Sequence, residues 1–204
     1  LYNLTGNHDY GDVPDNDQLY KRLNMPREYY SFSKGSWHFI ILNTNEIASY
    51  ANVKGTEKEA ELTEMLQKIK TEKRSNGASY NGGISKKQMQ WLEQELEKSQ
   101  QKSVNTLIFS HHPLYGIKGL TALNDLEIIE LLSKYSTVKG VISGHHHAGA
   151  FGVYKGIPFI TTEGMIETET DNAYGIVTIY ADRIELAGKG RTKSHTISLI
   201  SNKE

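Results

Sequence analysis

Three short runs carry the side chains best suited to chemistry: Gly6-Asn7-His8-Asp9, His111-His112-Pro113 and Gly144-His145-His146-His147. Five of the eight histidines fall in the last two runs alone. The chain has no cysteine, which excludes disulfides, thiolate metal sites, iron–sulfur clusters and thiol nucleophiles. A metal must therefore sit on His, Asp, Glu or Asn, and imidazoles meeting amide oxygens suit borderline cations such as Mn, Fe, Zn or Co. A lone loop histidine is more often exposed than ligating. Three runs together favour a metal centre, and His145 and His147, two apart after a glycine, can project to one side of a turn. The HExxH helix of zinc peptidases is absent from the sequence.

Each run must be positioned by something stiffer than itself. The histidine runs follow directly on the apolar stretches NTLIFS and VKGVIS, which read as strands, so they occupy the edge where an α/β sheet presents ligands. Residues 1–14 are too broken for a helix and too polar for a buried strand, and read as a loop. Trp37 to Leu42 (WHFIIL) reads as a buried strand. Thr56 with Glu59 forms a capping-box pattern opening a helix over 57–73, with Leu62, Met65, Leu66 and Ile69 inward. After a turn at 75–83, Ser85 with Gln88 opens a second helix with Met89, Leu92 and Leu96 inward. A strand at 104–109, a helix near 124–135 with Leu126, Ile129 and Leu132 on one side, and a strand at 138–143 follow. Beyond 150, short strands at 151–154, 157–162, 174–180 and 183–188 read as a meander. Strands alternating with helices and then sheet predict one α/β domain over 1–204, with two sheets packed face to face.

Composition sets outer bounds. The 204 residues carry 23 basic and 24 acidic side chains, a formal charge of −1, and 37% hydrophobic residues, as in ordinary globular chains. Basic residues scattered among acidic ones argue against polymeric nucleic acid as a partner and leave small anionic substrates open. No apolar run approaches the roughly 20 residues that span a bilayer. The first residue is Leu1, the chain is expected to be a piece of a longer product, and no address for its localisation is legible.

The order GNHD, then a strand ending in FSHHP, then a strand ending in GHHH, resembles the last three of the five metal-site blocks of the calcineurin-like metallophosphoesterases. YYSFSKGSWHFIILNTNE, YNGGISKKQMQWLEQEL, GIPFITTEGMIET and NAYGIVTIYADRIELAGKGR resemble its manganese-dependent ADP-ribose and CDP-alcohol diphosphatase branch, and the likeness runs from Leu4 to about Arg191. The resemblance implies a sandwich of two β-sheets flanked by helices. It implies two divalent cations (Mn, Fe or Zn), with Asn7, His111 and His145 ligating one and His147 the other. A hydroxide held between them would attack phosphorus in line, and His8, oriented by Asp9, would stabilise charge and protonate the leaving oxygen. His112 and His146 would sit behind the ligands or be exposed.

The family's DxH and GD blocks, which supply further ligands including a bridging Asp, lie upstream of GNHD, and nothing before Asn7 matches them. An upstream segment or a second chain is therefore expected to complete the site and the sheet, while Asp12, Asp15 and Asp17 read as solvated loop carboxylates. The implied substrate is a small nucleoside-diphosphate-linked molecule such as ADP-ribose or a CDP-alcohol. Phosphomonoesterase or cyclic phosphodiesterase activity on the same scaffold, or a fragment that binds metal or phosphate without catalysis, remain alternatives. Asn81, Gly82 and Gly83 resemble a loop near the active site in related diphosphatases and read equally well as a turn before the Ser85 cap. Glu163, Gly164 and Glu167 line a nucleoside pocket or form an acidic surface turn, and Tyr115 and Tyr174 are candidates to stack on a base.

Overall fold

The structure is a computed structural model that describes residues 1–11, 15–51 and 53–200. Asp12 lies outside the described residues. Two apolar rows decide the architecture. Ile40, Ile108, Val141 and Phe159 stand side by side in register on neighbouring strands, and Ile41, Phe109, Ile142 and Ile160 form the adjacent row on the opposite face. A sheet apolar on both faces must be covered on both.

The strands carrying these rows are β2 (Trp37–Ile41), β3 (Asn105–Phe109), β4 (Val138–Ser143) and β6 (Ile157–Thr161), all parallel. β1 (Tyr30–Lys34) pairs antiparallel with β2 at one edge and β5 (Ala150–Tyr154) with β6 at the other, giving the order β1-β2-β3-β4-β6-β5. One face is covered by helices α3 (Lys86–Gln101) and α4 (Asp125–Leu132), whose Leu92, Leu96, Ile128 and Leu132 pack with Ile40, Ile108, Val141 and Phe159. The other is covered by the three-stranded sheet β7 (Ala173–Ile179), β8 (Arg183–Gly190) and β9 (His195–Ser198), where Ile184, Leu186 and Ile197 meet Trp37, Leu107, Ile142 and Ile160. The expected two-sheet α/β sandwich is thus the observed architecture. No helix among the described residues is long and apolar enough to cross a membrane.

Several local expectations need correction. The meander comprises β7 to β9 only; all five residues of β6 are buried, and the β5–β6 hairpin belongs to the larger sheet. Among the described residues, two strands and an α-helix lie outside the predicted set, β1, β9 and the short helix α1 (Asn16–Arg22), as do two 3₁₀ turns at Asn7–Asp9 and Met165–Glu167. Asp15 is not a free loop carboxylate: its Oδ1 accepts from the Gln18 N–H at 2.8 Å and caps α1. The box at Thr56 does not close at the head of α2 (Glu57–Thr71), because the Thr56 hydroxyl donates to Val53 O and Glu59 accepts instead from the Gly55 N–H. Of its four apolar residues only Ile69 is buried, and Leu66 is exposed. On α4, Leu126 is exposed while Asp125 turns inward, held by the Arg74 guanidinium. Ser85 does cap α3, accepting from the Gln88 N–H at 3.0 Å, while the Gln88 side chain reaches away into the loop after β2.

Candidate active site

β2, β3, β4 and β6 run parallel, so the loops at 43–46, 110–114, 144–147 and 162–167 all leave the same edge of the sheet. The 3₁₀ turn Asn7–Asp9 meets that edge from the N-terminal side. There Nε2 of His111 lies 2.8 Å from Oδ1 of Asn7 and 3.1 Å from Nδ1 of His145. Residues 104 and 34 positions apart are thus joined at one point through three atoms with lone pairs to offer. His145 takes φ +66°, a left-handed backbone that non-glycine residues adopt at some cost and that here follows directly on the end of β4.

The electrostatics suit cation capture. Burial, and then the nearby charges of His145, His8 and His147, push His111 down to about 3. Burial, followed by His147, His8 and His146, pushes His145 down to about 4. Both rings are therefore neutral at physiological pH, with no proton to displace by deprotonation before a metal binds. The same interactions bring His8 and His147 within electrostatic reach of the pair.

A buried polar frame fixes these loops. Asn43, Thr44, Asn45 and Glu46, the NTNE run after β2, are all buried. Asn43 Oδ1 accepts from Thr5 Oγ1 and Tyr10 OH at 3.3 Å each, and Asn45 Nδ2 donates to Thr5 O at 2.7 Å, which ties the run to the Asn7 turn. Thr44 Oγ1 accepts from the His112 N–H at 3.0 Å and lies 3.0 Å from its Nδ1, which ties the run to the β3 loop. Glu46 accepts from the Ser85 N–H and from Gln88 Nε2, and pairs with Lys58 at 3.0 Å. Sequence reasoning assigned no role to these four residues; the signal was four polar residues directly after an apolar strand.

His112 is wholly buried, and burial drives its pKa well below the usual histidine range. One donor atom of it lies within 4.8 Å of donors on His111 and His145. Nδ1 faces Thr44 and Nε2 lies 3.2 Å from Tyr80 O, so both ring nitrogens have protein partners that brace the site. His146 is partly buried. His147 Nδ1 lies 2.5 Å from Glu167 Oε1, which leaves Nε2 as the ring's free donor position. A Cβ on Gly164 would stand 2.6 Å from the His147 ring, so only glycine lets that loop pass beneath it.

Other predicted residues land elsewhere. His8 is exposed on its turn, and Asp9 Oδ2 accepts from the Gly6 N–H at 2.7 Å, which locks the turn that presents His8. Asn81 is only 2% exposed, and its amide oxygen faces His145 Nε2 at 3.1 Å, so it reaches a substrate only through His145. Gly82 and Gly83 are buried; Cβ atoms there would meet Thr44 O at 2.4 Å and Asn124 Oδ1 at 2.7 Å, so close packing explains them without a ligand. Tyr115 packs into the core against Tyr154 and Phe159. Glu163 accepts from the Lys193 N–H at 3.2 Å, behind the loop. Tyr174 is exposed on β7 opposite Lys189. An exposed aromatic residue beside the cluster is Tyr80, 48% exposed, with its ring centroid 5.9 Å from that of His145. Its position one residue before Asn81 was the available signal.

A histidine cluster able to hold a metal at the carboxyl edge of a two-sheet α/β sandwich suits a metal-dependent hydrolase, and the family comparison makes that class a phosphoesterase. Residues 1–149 match the calcineurin-like phosphoesterase model, and the chain belongs to that family. It is similar to a manganese-dependent ADP-ribose/CDP-alcohol diphosphatase of Danio rerio, 27% identical over 97% of this chain and 72% of the relative. It is 32% identical to the Xenopus tropicalis protein of the same description over 58% of this chain and 36% of the relative. A crystal structure of a dimetal phosphatase from Danio rerio superposes with a TM-score of 0.86 at 25% identity, covering 98% of this chain and 72% of that one. Manganese-dependent relatives, a dimetal structural neighbour and the donor chemistry on this edge agree on a pair of divalent metal ions as the cofactor.

Proposed function

We propose that the protein hydrolyses the diphosphate linkage of a small nucleoside-diphosphate-linked substrate such as ADP-ribose or a CDP-alcohol. The observation that carries this reading is the convergence of Asn7 Oδ1, His111 Nε2 and His145 Nδ1 within 2.8 and 3.1 Å. Those three residues hold one divalent cation, and His147, braced by Glu167, contributes to the second. Such cations acidify water and screen phosphoryl charge. His8 donates a proton to the leaving phosphate oxygen as the P–O bond to it breaks, and Asp9 keeps the turn that aims it. Tyr80 offers an exposed aromatic face for the base.

Among the described residues the clustered donors are histidines, joined by Asn7, with no carboxylate among them. The proposal therefore includes a further segment or second chain that supplies a bridging carboxylate.

The test is turnover with Mn²⁺ on ADP-ribose, a CDP-alcohol, a phosphomonoester and a cyclic nucleotide. Release of AMP from ADP-ribose supports the reading. Cleavage of only the monoester or the cyclic nucleotide moves the protein to another branch of the chemistry, and no turnover on any of them by the protein together with the segment or chain that supplies the carboxylate refutes the proposal.

A further inference from the structure

We propose that Asn81 is a positioning residue that fixes the tautomer of His145 and so presents its Nδ1 to the metal. The inference rests on the reading of His145 as a ligand. Asn81 Nδ2 donates to Asn76 O at 2.8 Å and to Gly119 O at 2.9 Å. Backbone carbonyls only accept, so these two contacts identify the amide nitrogen and leave Oδ1 pointing the other way. Oδ1 then faces His145 Nε2 at 3.1 Å. An amide oxygen also only accepts, so the Nε2 of His145 carries the ring proton, and Nδ1 keeps its lone pair toward His111 and Asn7.

The amide cannot swing away. Asn76 is itself anchored by donating to Ala122 O at 2.7 Å, and Gly82 O accepts from the Leu123 N–H at 2.9 Å, so the 76–82 loop is pinned to the entry of α4. His145 sits on a left-handed backbone with its Nε2 against this fixed acceptor. A metal ligand oriented through its second ring nitrogen by a fixed hydrogen-bond partner is a general device for holding ring geometry and lone-pair direction.

Long-range ¹H–¹⁵N correlation spectra of the metal-free protein at pH 8 read the tautomer directly. Wild type is expected to show His145 protonated on Nε2, and Asn81→Leu, similar in size but without the acceptor, is expected to lose that single tautomer. Mn²⁺ affinity by titration calorimetry should fall roughly 10- to 100-fold in Asn81→Leu. The loss should be smaller in Asn81→Asp, which keeps an acceptor toward Nε2 but cannot donate to Asn76 O and Gly119 O. A role confined to tying loops together would lower the melting temperature of both variants and leave tautomer and affinity unchanged, which overturns the proposal. If Asn81→Leu does not fold, a wild-type spectrum with His145 protonated on Nδ1, or with mixed tautomers, overturns it alone. The tautomer readout needs neither metal nor substrate, so a failure of the diphosphatase reading shows up separately, as absent turnover with the tautomer in place.

Discussion

At His111 two effects act in one direction: burial, and repulsion from neighbouring histidines whenever they are protonated, both disfavour a proton, so the ring stays neutral and ready to ligate. Asn7 is the one neutral amide in the donor set, and its Oδ1 sits 2.8 Å from His111 Nε2. Asn7→Ala is predicted to weaken Mn²⁺ binding by at least 10-fold in calorimetric titration, since removing a direct ligand should cost at least as much as the 10- to 100-fold typical of an outer partner. An unchanged affinity would remove Asn7 from the site. His8 separates binding from chemistry. His8→Ala should lower kcat by roughly 10²- to 10⁴-fold, as for loss of a general acid, while Mn²⁺ affinity stays within a few-fold of wild type. A change in Mn²⁺ affinity alone would make His8 a ligand instead. At this scale the residue types were legible: imidazoles in loops after strands, with cysteine absent, point to a metal. The role of Asn81 was not, because its amide is oriented by carbonyls of Asn76 and Gly119 that only the folded chain brings together.

Elements succeed where their own sequence decides them. Ser85 caps α3 as its pattern predicts, and Ser85→Ala should cost about 1 kcal/mol in urea denaturation, a loss absent if the cap carries no energy. The Thr56 pattern failed because the Thr56 hydroxyl found a closer partner in Val53 O. The four strands of the parallel core could be read from continuous apolar runs. β1 could not, since it buries only Tyr30 of its five residues and depends on pairing with β2 for its conformation. β6 could be located but not assigned to a sheet, because an apolar run tells that a strand is covered and not by what. The NTNE run shows how an element end becomes part of a site: Thr44→Val removes the acceptor of the His112 N–H and should reduce stability by about 1–3 kcal/mol, as expected for a buried donor left unsatisfied. Equal stability of that variant would mean that the brace contributes nothing.

Across the molecule, the site charges the fold a price in acid. His111 and His145 bind protons near the ordinary histidine value of 6.5 when unfolded, but only near about 3 and about 4 when folded. Between those values the unfolded chain holds more protons, so stability rises with pH, is fully present above about 6.5, and is lost as pH falls through the folded values. Each ring contributes a slope of at most about 1.4 kcal/mol per pH unit, and the total from His145 is smaller because its shift is smaller and its partial exposure screens it. The urea midpoint of the metal-free protein should therefore fall between pH 7 and pH 5, and fall less in His111→Gln; equal profiles would contradict the burial argument. The two-sheet sandwich was legible from the alternation of strands and helices, whereas the cleft lined by Trp37, Phe39, Phe109, Val177, Ile179 and Leu199 belongs to the packing of two sheets and leaves no local mark in sequence. The central claim is that Asn7, His111 and His145 hold a cation that drives diphosphate hydrolysis. Its most direct test is the rate of AMP release from ADP-ribose as Mn²⁺ is titrated into metal-stripped wild type and His111→Ala. The account predicts saturable activation of wild type and no activation of the variant at the same concentrations. Equal activation of both proteins, or AMP release from wild type without any divalent cation, would contradict it.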